Sequence, residues 1–207
     1  MSTTEKMSEN LEKYRERLEE IRSDWTRSDE AKRQDLQTAY EEARTTHARL
    51  EDEYRKGVEE RLEKTRSAAF SVPKVGKDPA LDVLVYRDAL DRVSKTRDPR
   101  ELTDTLTRAR MTGDTALAKA VLFRGYELEN PTLVGDYLDK YPDELPAWEE
   151  FMASAQEHNT LEKLGISGAV GVPEPERPQE LGTQSTQEQG WRPFAYSSAG
   201  ESPSGAA

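Results

Sequence analysis

The chain has 207 residues, of which 34% are hydrophobic and 34% are charged, and its net charge is −11. This composition supports a compact helical unit of under about 100 residues, with the remainder as extended helix or disorder. The acidic balance argues against DNA, RNA or anionic lipid as the main partner, and the absence of cysteine excludes disulfides and thiolate metal sites.

Residues 1–70 are predicted to form a long amphipathic helix. The segment from Glu5 to Phe70 contains no proline, and its acidic and basic residues are paired four apart. Apolar residues recur at alternating intervals of three and four, which is typical of a coiled coil. The first run is Leu11, Tyr14, Leu18, Ile21 and Trp25, and the second is Leu36, Tyr40, Ala43, His47, Leu50 and Tyr54.

An eleven-residue period connects the two runs into one apolar stripe. Its positions are Tyr14, Trp25, Leu36, His47, Val58 and Ala69. A period of about 3.67 residues per turn predicts a stripe that is nearly straight or slightly right-handed. The stripe needs an apolar partner, which is a second copy, another protein or the rest of this chain.

The stripe is interrupted where Asp29 and Lys32 occupy its positions. One interpretation is a continuous helix of about 100 Å with a polar interruption. The other is a break at which Ser28 or Asp29 caps a second helix, so that the segment forms a hairpin. Because this region contains neither glycine nor proline, the sequence favours the continuous helix.

A linker over residues 71–79, with two prolines and a glycine, precedes a predicted bundle over residues 80–164. Five short amphipathic helices are expected there, and their starts are residue 80, the caps at Asp98 and Asp114, the pair Asn130–Pro131, and Leu145. Gly113 ends the second of them, and the last runs to about His158. Short joints between such helices are typical of an antiparallel bundle or a short solenoid.

Residues 165–207 are rich in Gly, Pro, Ser, Gln and Glu, a composition that predicts a disordered tail. Within it, Trp191, Phe194 and Tyr196 lie six residues apart or less. Aromatic residues in a polar tail often form a docking peptide for another protein. The alternative is that they pack back onto the helices of their own chain.

The sequence contains no pattern typical of catalysis or of a cofactor or metal site. Its two histidines, His47 and His158, fall in different segments, and no histidine follows a glutamate by three residues. Adjacent carboxylates on a helix diverge by about 100°, and no phosphate-binding loop or nucleophile elbow is present. The helical spacing of Tyr137, Tyr141, Trp148 and Phe151 predicts core packing. We therefore expect a protein that is not an enzyme and binds no cofactor.

The stretch over residues 116–152 carries an alanine-rich helix, then "VGDYLDKYP" and "AWEEF". It resembles small helical proteins that are encoded among the virion structural genes of actinobacterial tailed phages. The resemblance covers about a fifth of the chain. It implies a virion or head-assembly context, without an activity or a site.

We expect an all-α assembly protein that acts by self-association and docking, located in the cytoplasm or in a virion. It lacks the apolar region of a secretory signal and the run of roughly 20 apolar residues that a membrane helix needs. The predicted contact residues are Tyr14, Leu18, Ile21, Trp25, Leu36, Tyr40, Tyr54, Trp191, Phe194 and Tyr196.

One alternative is a monomeric regulatory adaptor with the long helix folded back as a hairpin. A third class is nucleic-acid binding, which would use Lys95, Arg97, Arg100, Arg108 and Arg110. Acidic residues between them reduce the local positive charge.

Overall fold

The computed structural model describes residues 1–74 and 76–182, which are helical over most of their length and include no strand. The all-α class predicted from the sequence is therefore confirmed. The helices are α1 (Thr3–Ser23), α2 (Asp29–Ala69), α3 (Pro79–Ser94), α4 (Pro99–Thr112), α5 (Thr115–Glu127), α6 (Pro131–Leu138) and α7 (Leu145–Val170). Two short 3-10 turns, Pro142–Glu144 and Gln179–Leu181, complete the described structure. None of these helices combines the length and apolar character that a membrane crossing requires.

The predicted continuous N-terminal helix is wrong, because the chain turns back on itself between α1 and α2. Asp24 ends α1, and its carboxylate accepts hydrogen bonds from the backbone N–H and the hydroxyl of Thr26 at 2.9 and 2.6 Å. Ser28 then caps α2, since its hydroxyl accepts from the N–H of Ala31. Short polar side chains thus end one helix and begin the next without glycine or proline.

The hairpin buries the apolar stripe between its own two helices. The first cluster contains Leu11, Tyr14, Leu18 and Ile21 from α1, and Leu36, Ala39 and Ala43 from α2. Four positions of the eleven-residue period lie on α2, and all four are buried: Leu36, His47, Val58 and Ala69. The spacing therefore identified the inner face of α2, although it did not identify which chain covers that face.

Helix α7 packs along the second half of α2 and makes the hairpin a three-helix unit. Met7, Leu50, Val58, Leu161, Ile166 and Val172 form its second buried cluster. Gly165 has a positive φ of 67° and kinks α7, which continues to Val170. The chain after α7 then crosses the hairpin, where the carbonyl of Glu176 accepts a hydrogen bond of 2.7 Å from the Tyr14 hydroxyl.

The boundary predicted at Gly165 therefore does not mark the end of the helical structure. Residues 165–182 belong to α7 and to a segment that packs on the hairpin, which we call the strap (residues 171–182). The sequence favours disorder because the strap has three prolines and few apolar residues. Its ordering depends on contacts with residues more than 150 positions away, such as the ion pair of Arg22 with Glu180 at 2.7 Å. The predicted contact residues Trp191, Phe194 and Tyr196 lie outside the described residues.

Helices α3 to α6 form a second helical unit with a core of its own. Helix α5 lies at its centre, with Ala116, Ala118, Ala120, Val121 and Leu122 all at most 1% exposed. The predicted starts are correct: Asp98, Asp114 and Asn130 each cap a helix through the side chain, and Gly113 ends α4 with a positive φ of 69°. Helix caps can be predicted from sequence because the first and last turns leave backbone N–H and C=O groups without a partner. Only a few residue types accept or provide the hydrogen bonds that these groups need.

Five aromatic rings join the two units. Phe70 at the end of α2 lies 5.0 Å from Phe123, 5.3 Å from Phe151 and 6.1 Å from Trp148, measured between ring centroids. Tyr126 contacts both Trp148 and Phe151, at 5.8 and 5.1 Å. We call this group the aromatic junction. It fixes α5 against the hairpin and α7, because tilted and edge-to-face rings pack with a preferred geometry.

Glu129 occupies a backbone conformation that normally belongs to glycine. Its φ is +50°, and it follows the last residues of α5. The N–H of Asn130 bonds to the carbonyl of Gly125 at 2.9 Å, and that of Glu129 bonds to the carbonyl of Tyr126 at 3.0 Å. These two bonds form a Schellman motif with glutamate at the left-handed position.

We expect Glu129→Gly to stabilise the protein by about 0.5–1 kcal/mol, because it removes the steric cost of a left-handed side chain. The matched control is Glu127→Gly in the last turn of α5, which should destabilise by about 1 kcal/mol. Urea unfolding followed by circular dichroism measures both changes. A loss of stability in Glu129→Gly would contradict the strain assigned to this residue.

Candidate protein-docking surfaces

Most of the predicted contact residues on the apolar stripe are covered by their own chain. Tyr14, Leu18, Ile21 and Leu36 are between 2% and 8% exposed. Tyr40 packs against the same cluster, and the Tyr54 hydroxyl donates a hydrogen bond of 3.1 Å to Glu157 on α7. These side chains hold the three-helix unit together and present little apolar area to another molecule.

Trp25 differs from the other predicted stripe residues. It lies in the turn between α1 and α2 and is 90% exposed. The eleven-residue period placed it between Tyr14 and Leu36 on one face, but that face requires a continuous helix. Once the chain breaks at Asp24, the Trp25 side chain points away from the hairpin core and into solvent.

His47 is 2% exposed and lies on the buried face of α2, where the stripe placed it. Neither ring nitrogen has a hydrogen-bond partner among the described residues, and Nε2 lies 3.6 Å from the Glu51 carboxylate. The residues of 1–74 and 76–182 contain no group of three or more His, Asp or Glu side chains arranged to hold a metal ion. His47 is therefore a buried side chain that is packed within the protein.

Helix α3 exposes an apolar surface at its start, which we call the α3 patch (Leu81, Val83 and Leu84). These side chains are 54%, 51% and 62% exposed. The opposite face of α3 is buried through Tyr86, Ala89 and Val93, so the helix is apolar on more than one side. The sequence predicted Leu81 and Leu84 as part of the bundle. The structure excludes them from the core because α5 covers only one face of α3.

Cationic side chains lie around the α3 patch. The Asp82 carboxylate accepts a hydrogen bond of 2.8 Å from the N–H of Gly76, which holds the preceding loop against the first turn of α3. That loop carries Lys74 and Lys77, and Arg87 follows on the exposed surface of the helix. The α3 patch therefore has three exposed cations at its edge, and the exposed carboxylates of Asp78 and Asp88 lie beside Lys77 and Arg87.

The start of α7 exposes acidic side chains around an apolar one. Leu145 is 39% exposed, and Asp139, Asp143 and Glu149 are exposed near it in sequence. We call these four residues the acidic corner. Residues 113–182 hold 14 acidic and five basic side chains, a net charge of −9, whereas residues 71–112 hold nine basic and seven acidic, a net charge of +2. The negative charge of the chain is thus concentrated beyond α4.

A buried polar network lies behind the acidic corner. Lys119 on α5 is 3% exposed, and its ammonium group forms an ion pair with Glu144. The Tyr137 hydroxyl donates to the same carboxylate oxygen at 2.9 Å. Burial and the nearby Glu144 carboxylate raise the pKa of Tyr137, and burial raises the pKa of Tyr86 to about 12. Both phenols therefore remain neutral donors at physiological pH.

This network was not predicted, although Lys119 interrupts the apolar run "ALAKAVL" of α5. A lysine within a helix of otherwise buried residues requires a nearby carboxylate. Glu144 supplies it from a 3-10 turn that periodicity does not locate. The network fixes the end of α6 and the start of α7 against α5.

Comparison with models of protein families, with curated proteins and with solved structures finds no match to this chain.

Proposed function

We propose that the protein is a non-enzymatic assembly protein whose copies associate head to tail, with the α3 patch of one copy on the acidic corner of the next. The observation that carries the proposal is the α3 patch, since three large apolar side chains on one well-formed helical turn remain more than half exposed. Clustered exposed apolar side chains with a polar edge are typical of protein contact sites.

The acidic corner is the occupant that fits this surface by charge. Its carboxylates would face Lys74, Lys77 and Arg87, and Leu145, which is 39% exposed, would supply an apolar contact. Covering a half-exposed leucine or valine contributes on the order of 1 kcal/mol. Charge complementarity at the edge adds mainly orientation and association rate, and it weakens as salt screens it.

Contact between two different surfaces of the same chain is heterologous. Such contacts form a ring if the rotation between copies closes, and an extended filament if it does not. This mode of assembly does not need the apolar stripe, whose residues other than Trp25 are already buried. An assembly role agrees with the virion context that the resemblance of residues 116–152 implies.

A monomeric helical adaptor is the second candidate function. It is favoured by the hairpin, because the stripe is covered by α2, α7 and the strap of the same chain. In that case the α3 patch would receive a different protein with an apolar and acidic surface.

Sedimentation velocity over a range of concentrations separates these two functions. We expect the average mass of the wild-type chain to rise with concentration and to fall when salt is added. Leu84→Glu should remain monomeric, whereas Met111→Glu, at a residue of α4 that is more exposed than Leu84 (82% against 62%), should behave like the wild type. A wild-type chain that is monomeric at every concentration and salt level would reject self-association and leave the adaptor.

A further inference from the structure

Trp25 is the most exposed of the large apolar side chains in residues 1–74 and 76–182, at 90%. It lies at the tip of the hairpin, between the end of α1 and the cap of α2. An indole ring carries a large apolar surface that is available for contact. The surrounding chain indicates what could cover it.

The strap runs along the hairpin toward this tip. Val172 packs in the cluster that contains Met7, Glu176 accepts from Tyr14, and Glu180 pairs with Arg22. Its contacts on α1 therefore advance steadily from the start of the helix to its last turn. Gly182, the last described residue, follows two residues after the pair with Arg22, close to the turn that holds Trp25.

A cavity of about 330 Å³ opens beside the strap at the tip of the hairpin. Its lining consists of three cations, two carboxylates and one apolar side chain: Arg22, Lys32, Arg33, Asp29, Glu180 and Leu36. Lys32 already donates to the carbonyl of Arg22 at 2.9 Å, so this ammonium group is held at the cavity wall. Cationic groups beside an apolar side chain suit an aromatic ring, which they contact through cation–π attraction.

We propose that the segment "GWRPFAY" (residues 190–196) of the same chain folds onto the hairpin tip. Its aromatic rings would cover Trp25 and enter the cavity beside Lys32 and Arg33. Eight residues lie between Gly182 and Trp191, so the nine steps from one Cα to the other span at most about 30 Å when extended. This length suffices to reach Trp25, which lies three residues after Arg22. The inference concerns a different surface from the α3 patch and does not depend on self-association.

The three tryptophans of the chain make this contact measurable in the intact protein. The full-length chain would be labelled with 5-fluorotryptophan, and its three ¹⁹F resonances would be assigned by Trp→Phe variants. Because the chain has no cysteine, Ser198→Cys introduces a unique site for a spin label next to the aromatic segment. We expect the label to remove most of the Trp25 resonance intensity and to leave that of Trp148, at the aromatic junction, unchanged.

Two controls make the result specific. A label at Ser94→Cys, at the end of α3, should leave Trp25 unaffected, and Phe194→Ala should restore its intensity in the Ser198→Cys chain. The unchanged Trp148 resonance reports that each variant is folded. An unaffected Trp25 resonance in the labelled chain would overturn the proposal. Broadening that appears only when spin-labelled and fluorinated chains are mixed would also overturn it, since a second copy would then cover the tip.

Discussion

Phe151→Ala is expected to destabilise the protein by about 3–5 kcal/mol, because the ring is fully buried and its removal leaves a cavity. Phe151 is 1% exposed and contacts Phe70, Tyr126 and Trp148 in the aromatic junction. The three contacts come from α2, α5 and α7, so the substitution weakens the connection between the two helical units. Urea unfolding monitored by circular dichroism and by tryptophan fluorescence measures the change.

We further expect the unfolding transition of Phe151→Ala to lose cooperativity, since each unit retains a buried cluster of its own. Met152→Ala is the matched control. Met152 is the next residue on α7 but is 41% exposed, and its truncation should cost less than about 0.5 kcal/mol. Equal losses in the two variants would show that the aromatic junction does not carry the packing assigned to it.

Glu144→Gln is expected to destabilise by about 3 kcal/mol, because it leaves the buried Lys119 ammonium without its counter-charge. The amide oxygen of glutamine still accepts hydrogen bonds, so the substitution removes the charge and preserves the shape. Lys119→Met should cost about 1 kcal/mol or less, since it removes the buried charge together with its desolvation cost. The predicted result is thus an asymmetry between the two partners of one ion pair.

Chemical denaturation of the two variants at neutral pH tests this asymmetry. Lys140→Met and Asp143→Asn are suitable controls, because both residues are exposed near the network and should change stability by less than about 0.5 kcal/mol. If Lys119→Met were the more damaging substitution, the network would be stabilised by the lysine contacts themselves and the desolvation argument would be incorrect.

The N-terminal hairpin illustrates what the sequence could and could not determine. The spacing of Leu36, Val58 and Ala69 identified the buried face of α2. The spacing at which side chains return to one face depends only on the geometry of the helix. For residues 24–28 the sequence favours a continuous helix over a break, because this region contains neither glycine nor proline. Asp24 ends the first helix and Ser28 begins the second through side-chain hydrogen bonds. Aspartate and serine can therefore interrupt a helix without glycine or proline.

In the bundle, the helix starts were predictable and the exposed surfaces were not. Asp98, Asp114 and Asn130 each cap a helix as the sequence indicated. The exposure of Leu81 and Leu84 depends on how much of α3 is covered by α5, which is a property of the packed structure. Periodicity shows which residues share a face, but it does not show whether a second helix covers that face.

The candidate docking surfaces were predictable only in part. Aromatic residues on the stripe were predicted as contacts, and the structure places Tyr14 inside the protein and Trp25 outside it. The difference arises because Tyr14 lies on α1, whereas Trp25 lies in the five-residue turn between α1 and α2. The α3 patch could have been suspected from the apolar residues that α3 carries on several sides.

The central claim is that α1 folds back on α2 of its own chain, so that the stripe is satisfied without a partner. Lys13 and Glu42 line one cavity between these helices, and both can be replaced by cysteine in a chain that has none. Spin labels at the two sites, measured by pulsed electron resonance in an excess of unlabelled chain, should be separated by little more than the roughly 8–10 Å between packed helix axes plus the label arms. A separation near the ~44 Å that a continuous helix imposes between these positions would contradict the account, as would a short separation that disappears on dilution.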